Sequence, residues 1–294
     1  MKRNPGKLLV LLLGFFLVFS CTSSARAAGH FMDKPVLQTN QPSISLLVLL
    51  PGIGMTLVAL GFIIYAGVRK LGWGYLALGG LGWVVTVGLK LLWGNFANSG
   101  IFQGLQTVFP ETSANLVFYL YVGLLTGIFE VLLIWIILRY TKLGIVSWKR
   151  MLAFGIGFGA LEALLLGLSS LANGITALTI PSALPASSLE QLALTSNPLF
   201  GLAPVWERFF TILIHIFSNL LLFFGALKLQ SRWFWTAFGY KTLLDAVAVL
   251  GQFWGLNHLG RLWAIEGFIF IWGLAGMLGI QVLRFRSLEM ETGS

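Results

Sequence analysis

Seven long apolar runs, each broken by only a few polar positions, organise the chain. They cover residues 44–68, 72–94, 116–138, 151–172, 205–227, 233–255 and 262–283. A helix needs roughly 20 apolar residues to cross a bilayer, so each run predicts one transmembrane helix. The runs are continuous and do not alternate with period two, which argues against a β-barrel. The predicted fold class is all-α: a polytopic helical membrane protein of about seven transmembrane helices. The run from Trp206 to Leu227 stands out, because Arg208, Thr211, His215, Ser218 and Asn219 fall on one helical stripe within it. A polar stripe is costly against lipid and belongs on the bundle interior.

Ahead of the runs, residues 1–28 read as a signal sequence or signal anchor. Lys2, Arg3 and Lys7 form its basic part, Leu8 to Ser20 its apolar part, and Ala25-Arg26-Ala27 a small-residue cleavage site. Lipidation at Cys21 and retention as an anchor are the alternatives. The remainder, 29–294, reads as a single helical membrane domain with its core motifs on 116–255. The polar connection 173–204, containing Pro181, Pro185 and Pro198, reads as a lid or a spacer. The glycine-rich stretches 72–83 and 155–167 permit close helix contact.

Composition sharpens this picture. Hydrophobic residues make up 57% of the chain, charged residues only 10%, and the mean hydropathy is +0.87. The net charge of +9 is not a nucleic-acid footprint, because the basic residues sit at the ends of apolar runs. If residues 29–43 lie outside, every connection predicted inside carries Lys or Arg, as at Arg69, Lys70, Lys149 and Arg150. The connections 95–115 and 173–204 carry neither, and Arg261 departs from the rule. The sequence therefore predicts a protein integral to the cell membrane, with the carboxyl terminus cytoplasmic and the lipid bilayer as its first partner. The single cysteine excludes an intramolecular disulfide and a cysteine-rich metal site.

Four ionisable residues fall near the middle of consecutive predicted helices: Glu130, Glu162, His215 and Asp245. Each is expensive against lipid, so the expectation is one mid-membrane pocket that gathers all four. Lys241 shares a helix face with Asp245 and could pair with it, as Glu207 could with Arg208. Lys90 is placed near the end of its run, where it would snorkel to the interface. Glu266 is placed within reach of Arg261, and His30 and His258 read as loop histidines. A buried carboxylate can act as general base toward water, and a histidine can donate to an oxyanion or shuttle a proton. Peptide hydrolysis inside the membrane needs those roles. The signatures of serine, zinc and aspartyl peptidases are missing from the sequence. A divalent metal on Glu130, Glu162, His215 and Asp245 is compatible with these residue types but not required. Midplane acids also serve proton-coupled transporters, and a non-catalytic scaffold could keep the same residues for structure.

The stretches GIFEV at 127–131, GIGFGALEA at 155–163, ERFFTILIH at 207–215 and KTLLD at 241–245 occur in an order that resembles the YhfC family of intramembrane proteases. That family is similar to the PrsW and CAAX-prenyl-protease groups. The resemblance implies Glu130 as the carboxylate that activates water and Glu162 as the acid of an FxxxE motif begun by Phe158. It implies His215 as the downstream histidine and Asp245 as the acid of the following helix. Phe158, Glu207, Arg208, Asn219 and Lys241 would support the pocket, and the substrate would be a membrane-embedded or membrane-adjacent peptide. The chain departs from the family pattern at three places. Val131 stands where a second glutamate is expected, Ile134 where a basic residue is expected, and Phe158 where close relatives would carry histidine. A proteolytically inactive member is the reading those departures leave open.

Overall fold

A computed structural model describes residues 44–292. The predicted signal segment 1–28, Cys21 and His30 lie outside the described residues, and with them the residues 29–43 that anchor the predicted topology. Each of the seven apolar runs forms one long helix: α1 Leu46–Val68, α2 Trp73–Val108, α3 Glu111–Tyr140, α4 Trp148–Thr179, α6 Pro198–Lys228, α7 Ser231–Trp254 and α8 Leu259–Thr292. A short helix, α5 Ala186–Leu194, sits in the connection before α6. No strand occurs among the described residues. All the long helices except α7 are long and apolar enough to cross a membrane. The exception carries Arg232, Thr236, Lys241, Thr242, Asp245 and Gln252 within its length.

Two of the predicted loops are corrected. Residues 95–115 and 173–204 are mostly helical, because α2 continues to Val108, α4 to Thr179, and α6 starts at Pro198. Nothing in residues 95–108 stops a helix before Pro110, which removes a backbone donor and ends α2. Pro181 does the same after α4, and Pro185 is the N-cap of α5. Asn197 restarts the chain by accepting the Leu199 amide at its side-chain oxygen, with Pro198 at the first helical position.

Helix α6 is the hub: 78% of its apolar window is buried, against 61% for α4 and 39% or less for the other spans. It packs on α1, α3, α4, α7 and α8, while α4 packs on α1 and α2, and α3 on α7. The glycine-rich stretch of α4 makes this possible. Gly157 lies against the backbone carbonyl of Leu76 on α2, and Gly79 of α2 against that of Phe154 on α4. Gly159, on another face, meets Ile212 and the Cβ position of His215 on α6. A side chain at either face would hold the helices apart, so small residues set the distance at which α4 and α6 can share polar groups.

The middle of α3 departs from α-geometry. Residues Gly127–Leu132 form a π turn, with Glu130 inside it. A π turn inserts one extra residue into the helical winding and commonly marks a functional site. Here it turns the buried Glu130 side chain toward the bundle interior.

Candidate functional site

The polar residues meet in one cavity of about 270 Å³. Its wall is built by Trp83, Val87 and Lys90 of α2, Glu130 of α3, Glu162 of α4, and Glu207, Arg208, Thr211 and His215 of α6. Lys241, Asp245 and Gln252 of α7 line it with several apolar neighbours, and Ile269 of α8 closes it. The four candidate residues of the sequence reading, Glu130, Glu162, His215 and Asp245, are thus brought together. Three of the supporting residues, Glu207, Arg208 and Lys241, line the same space.

Phe158 and Asn219 do not reach the cavity wall. The Phe158 ring lies 5.1 Å from the His215 ring and is fully buried behind it. Asn219 donates through Nδ2 to the His215 carbonyl at 2.8 Å, and its Oδ1 has no hydrogen-bond partner. Ser218 donates to the same carbonyl at 3.1 Å. The polar stripe of α6 therefore divides. Arg208, Thr211 and His215 face the cavity, whereas Ser218 and Asn219 return to the backbone of their own helix, as short polar side chains do in apolar surroundings.

The charged groups form one connected network. Glu162 Oε2 accepts from Trp83 Nε1 at 2.8 Å and lies 2.8 Å from His215 Nε2, while its Oε1 pairs with Arg208. Arg208 also pairs with Glu207, as the sequence suggested. His215 Nδ1 is 3.5 Å from the Lys241 ammonium. An ammonium can only donate, so Nδ1 accepts and Nε2 carries the proton given toward Glu162. Lys241 also lies 3.1 Å from Glu130 Oε2, and Lys90 pairs with Glu130 Oε1. Lys90 then reaches Asp245 Oδ2 at 3.4 Å and Thr126 Oγ1 at 3.2 Å, and Thr126 donates to Asp245. The expected pairing of Lys241 with Asp245 on one helix is replaced by pairing across helices.

Lys90 is the residue the sequence reading misplaced. It stands midway along α2, not near its end, and its ammonium joins α2 to α3 and α7. The available signal was the stripe Trp83, Thr86, Val87 and Lys90, with no helix breaker until Pro110. Glu266 and Arg261 are not among the ion pairs of the described residues. Glu266 is buried with Oε2 unpartnered, and Arg261 donates to the Trp254 carbonyl at 2.6 Å.

A family model described as YhfC intramembrane metalloprotease matches residues 54–269, most of the chain. No curated protein and no solved structure matches it. The word metalloprotease calls for a metal, and the donor set does not fit one. Both oxygens of Glu130 face ammonium groups, and those of Glu162 face Arg208, Trp83 and His215. Among the described residues, no group of three or more His, Cys, Asp or Glu side chains converges as a metal site. Four carboxylates and three fixed cations already line the cavity.

Proposed function

The chain belongs to the YhfC family, and from that premise we propose that it hydrolyses peptide bonds within the membrane using side chains alone. The observation that carries the reading is the convergence of Glu130, Glu162, His215 and Asp245, from four helices, on one cavity of about 270 Å³ inside the bundle. Of the two glutamates, Glu162 is assigned as base. Its side chain is 18% exposed against 4% for Glu130, so water in the cavity reaches it more readily.

In this reading a water beside Glu162 gives it a proton as the water oxygen bonds to the peptide carbonyl carbon. The carbonyl π pair moves onto oxygen, and the positive charge of the Lys90 ammonium, 20% exposed on the cavity wall, stabilises the oxyanion through space while its donors stay on Glu130, Asp245 and Thr126. Collapse of that intermediate restores the carbonyl and breaks the C–N bond. The leaving nitrogen takes the proton from Glu162, which returns the carboxylate. His215 donates to Glu162 and fixes its orientation, and Asp245 holds Lys90 in place. The apolar wall residues Val87, Leu244, Val249 and Ile269 suit a hydrophobic peptide segment, so the substrate is a membrane-embedded or membrane-adjacent peptide.

The pairing of all four cavity carboxylates with internal cations favours a second reading, a non-catalytic relative that keeps the network for structure. One experiment separates the two. Membranes from cells carrying the wild type, Glu162→Gln or His215→Ala at matched levels are compared for new peptide termini within or beside transmembrane segments. Termini seen only with the wild type support hydrolysis. The same termini in all three, with both variants folded, would reject it in favour of the non-catalytic relative.

A further inference from the structure

The two lysines occupy the cavity in a particular way. Lys241 Nζ touches one carboxylate oxygen, Glu130 Oε2 at 3.1 Å, and one imidazole nitrogen, His215 Nδ1 at 3.5 Å. Carboxylate oxygen and imidazole nitrogen are the ligand types that hold zinc in hydrolytic enzymes. Lys90 Nζ touches three oxygens, from Glu130, Asp245 and Thr126. An all-oxygen cage of that kind is what hard divalent cations select. Both ammoniums are therefore cations seated among metal-type ligands, delivered by helices α7 and α2. A divalent ion placed beside either would meet fixed positive charge within a few ångströms, inside a medium that screens it poorly.

We infer that Lys90 and Lys241 are built-in substitutes for a metal ion, so that this member of a family described as metalloproteases excludes divalent metal from its cavity. The inference concerns occupancy and stands whether or not the cavity hydrolyses peptides. Each ammonium supplies one positive charge and up to three hydrogen-bond donors. Between them they do electrostatically for Glu130, Asp245 and His215 what one divalent ion would do. The charge is covalently attached, so it does not depend on metal supply.

The test measures metal content. The full chain, purified in detergent, is dialysed against Zn²⁺ or Mn²⁺, washed, and analysed by elemental mass spectrometry. Well under 0.1 equivalent in the wild type is expected by analogy with a site lacking free ligands. A near-stoichiometric metal that is lost in Glu130→Gln or Glu162→Gln would overturn the inference. The variant Lys90→Gln/Lys241→Gln relieves Glu130, Asp245 and His215 of their ammonium partners, and once these side chains turn toward a common ion it is expected to gain metal above the wild-type level. A double variant that folds and gains none would refute the substitution. Should the double variant not fold, the wild-type measurement alone decides between exclusion and occupancy.

Discussion

At the scale of single residues, Glu130 is held by two ammoniums in a site shielded from water. Bringing these charges into the bundle costs much of what their attraction returns, so the cluster is not a large net source of stability. Removing one member is another matter, because it leaves uncompensated charge behind. Glu130→Gln is expected to destabilise the protein by about 3–5 kcal/mol, read as a lower unfolding midpoint in detergent. The triple variant Lys90→Met/Glu130→Leu/Lys241→Met, which removes Glu130 with both its ammoniums and leaves only the partly exposed Asp245 charged, is expected to recover part of that loss. If the triple variant is worse than the single one, the cluster stabilises the fold in its own right. The same reasoning explains why activity losses at Glu130 would be ambiguous. At Glu162 they would be cleaner, since Arg208 keeps its pairing with Glu207.

At the scale of elements, the seven apolar runs were legible as helices, and Glu130, Glu162, His215 and Asp245 were legible as one pocket. Both follow from the cost of placing polar groups against lipid. Helix length was not legible in the same way. Hydropathy marks the part of a helix that matches the bilayer, whereas the backbone stops only where a proline or a cap makes it stop. Ending the second run at residue 94 therefore moved Lys90 from the middle of α2 to its edge, and the ion pairs it makes could not be foreseen. The π turn around Glu130 has no hydropathy signature at all. The glycines of α4, by contrast, were read correctly as contact points. A Cβ on Gly157 would land on the Leu76 carbonyl, whereas one on Gly61 of α1 meets nothing within 4 Å. Gly157→Ala should therefore lower stability by about 1–3 kcal/mol through overpacking. Gly61→Ala should be neutral or slightly stabilising, since alanine is the better helix former. Equal midpoints for the two variants in thermal unfolding would show that α2 and α4 do not depend on the glycine contact.

At the scale of the whole molecule, the two ends of the bundle differ in chemistry. Arg150 lies over the Tyr75 ring at 5.7 Å, Arg284 over Trp148 at 5.4 Å and Arg286 over Trp233 at 5.3 Å. The starts of α2, α4 and α7 and the end of α8 thus gather at one basic, aromatic-rich end, where the stem of each arginine covers apolar surface. Clustered Lys and Arg at one end orient a helical bundle with that end on the cytoplasmic side. The cavity wall extends the other way, toward exposed Gln252 near the end of α7. On that rule the cavity entrance is expected on the outer side of the membrane, which labelling tests directly. In a Cys21→Ser background, Gln252→Cys should react with a membrane-impermeant maleimide added to intact cells. Lys142→Cys, exposed beyond α3 at the basic end, should react only after the membrane is opened. Occupation of the cavity by a hydrophobic peptide should slow the reaction at Gln252→Cys and leave Lys142→Cys untouched. Labelling of Lys142→Cys from outside, with Gln252→Cys protected, would invert the bundle and put the entrance on the cytoplasmic side. Substrates would then have to be sought among segments presented from the cytoplasm, because the entrance decides which peptides can reach Glu162.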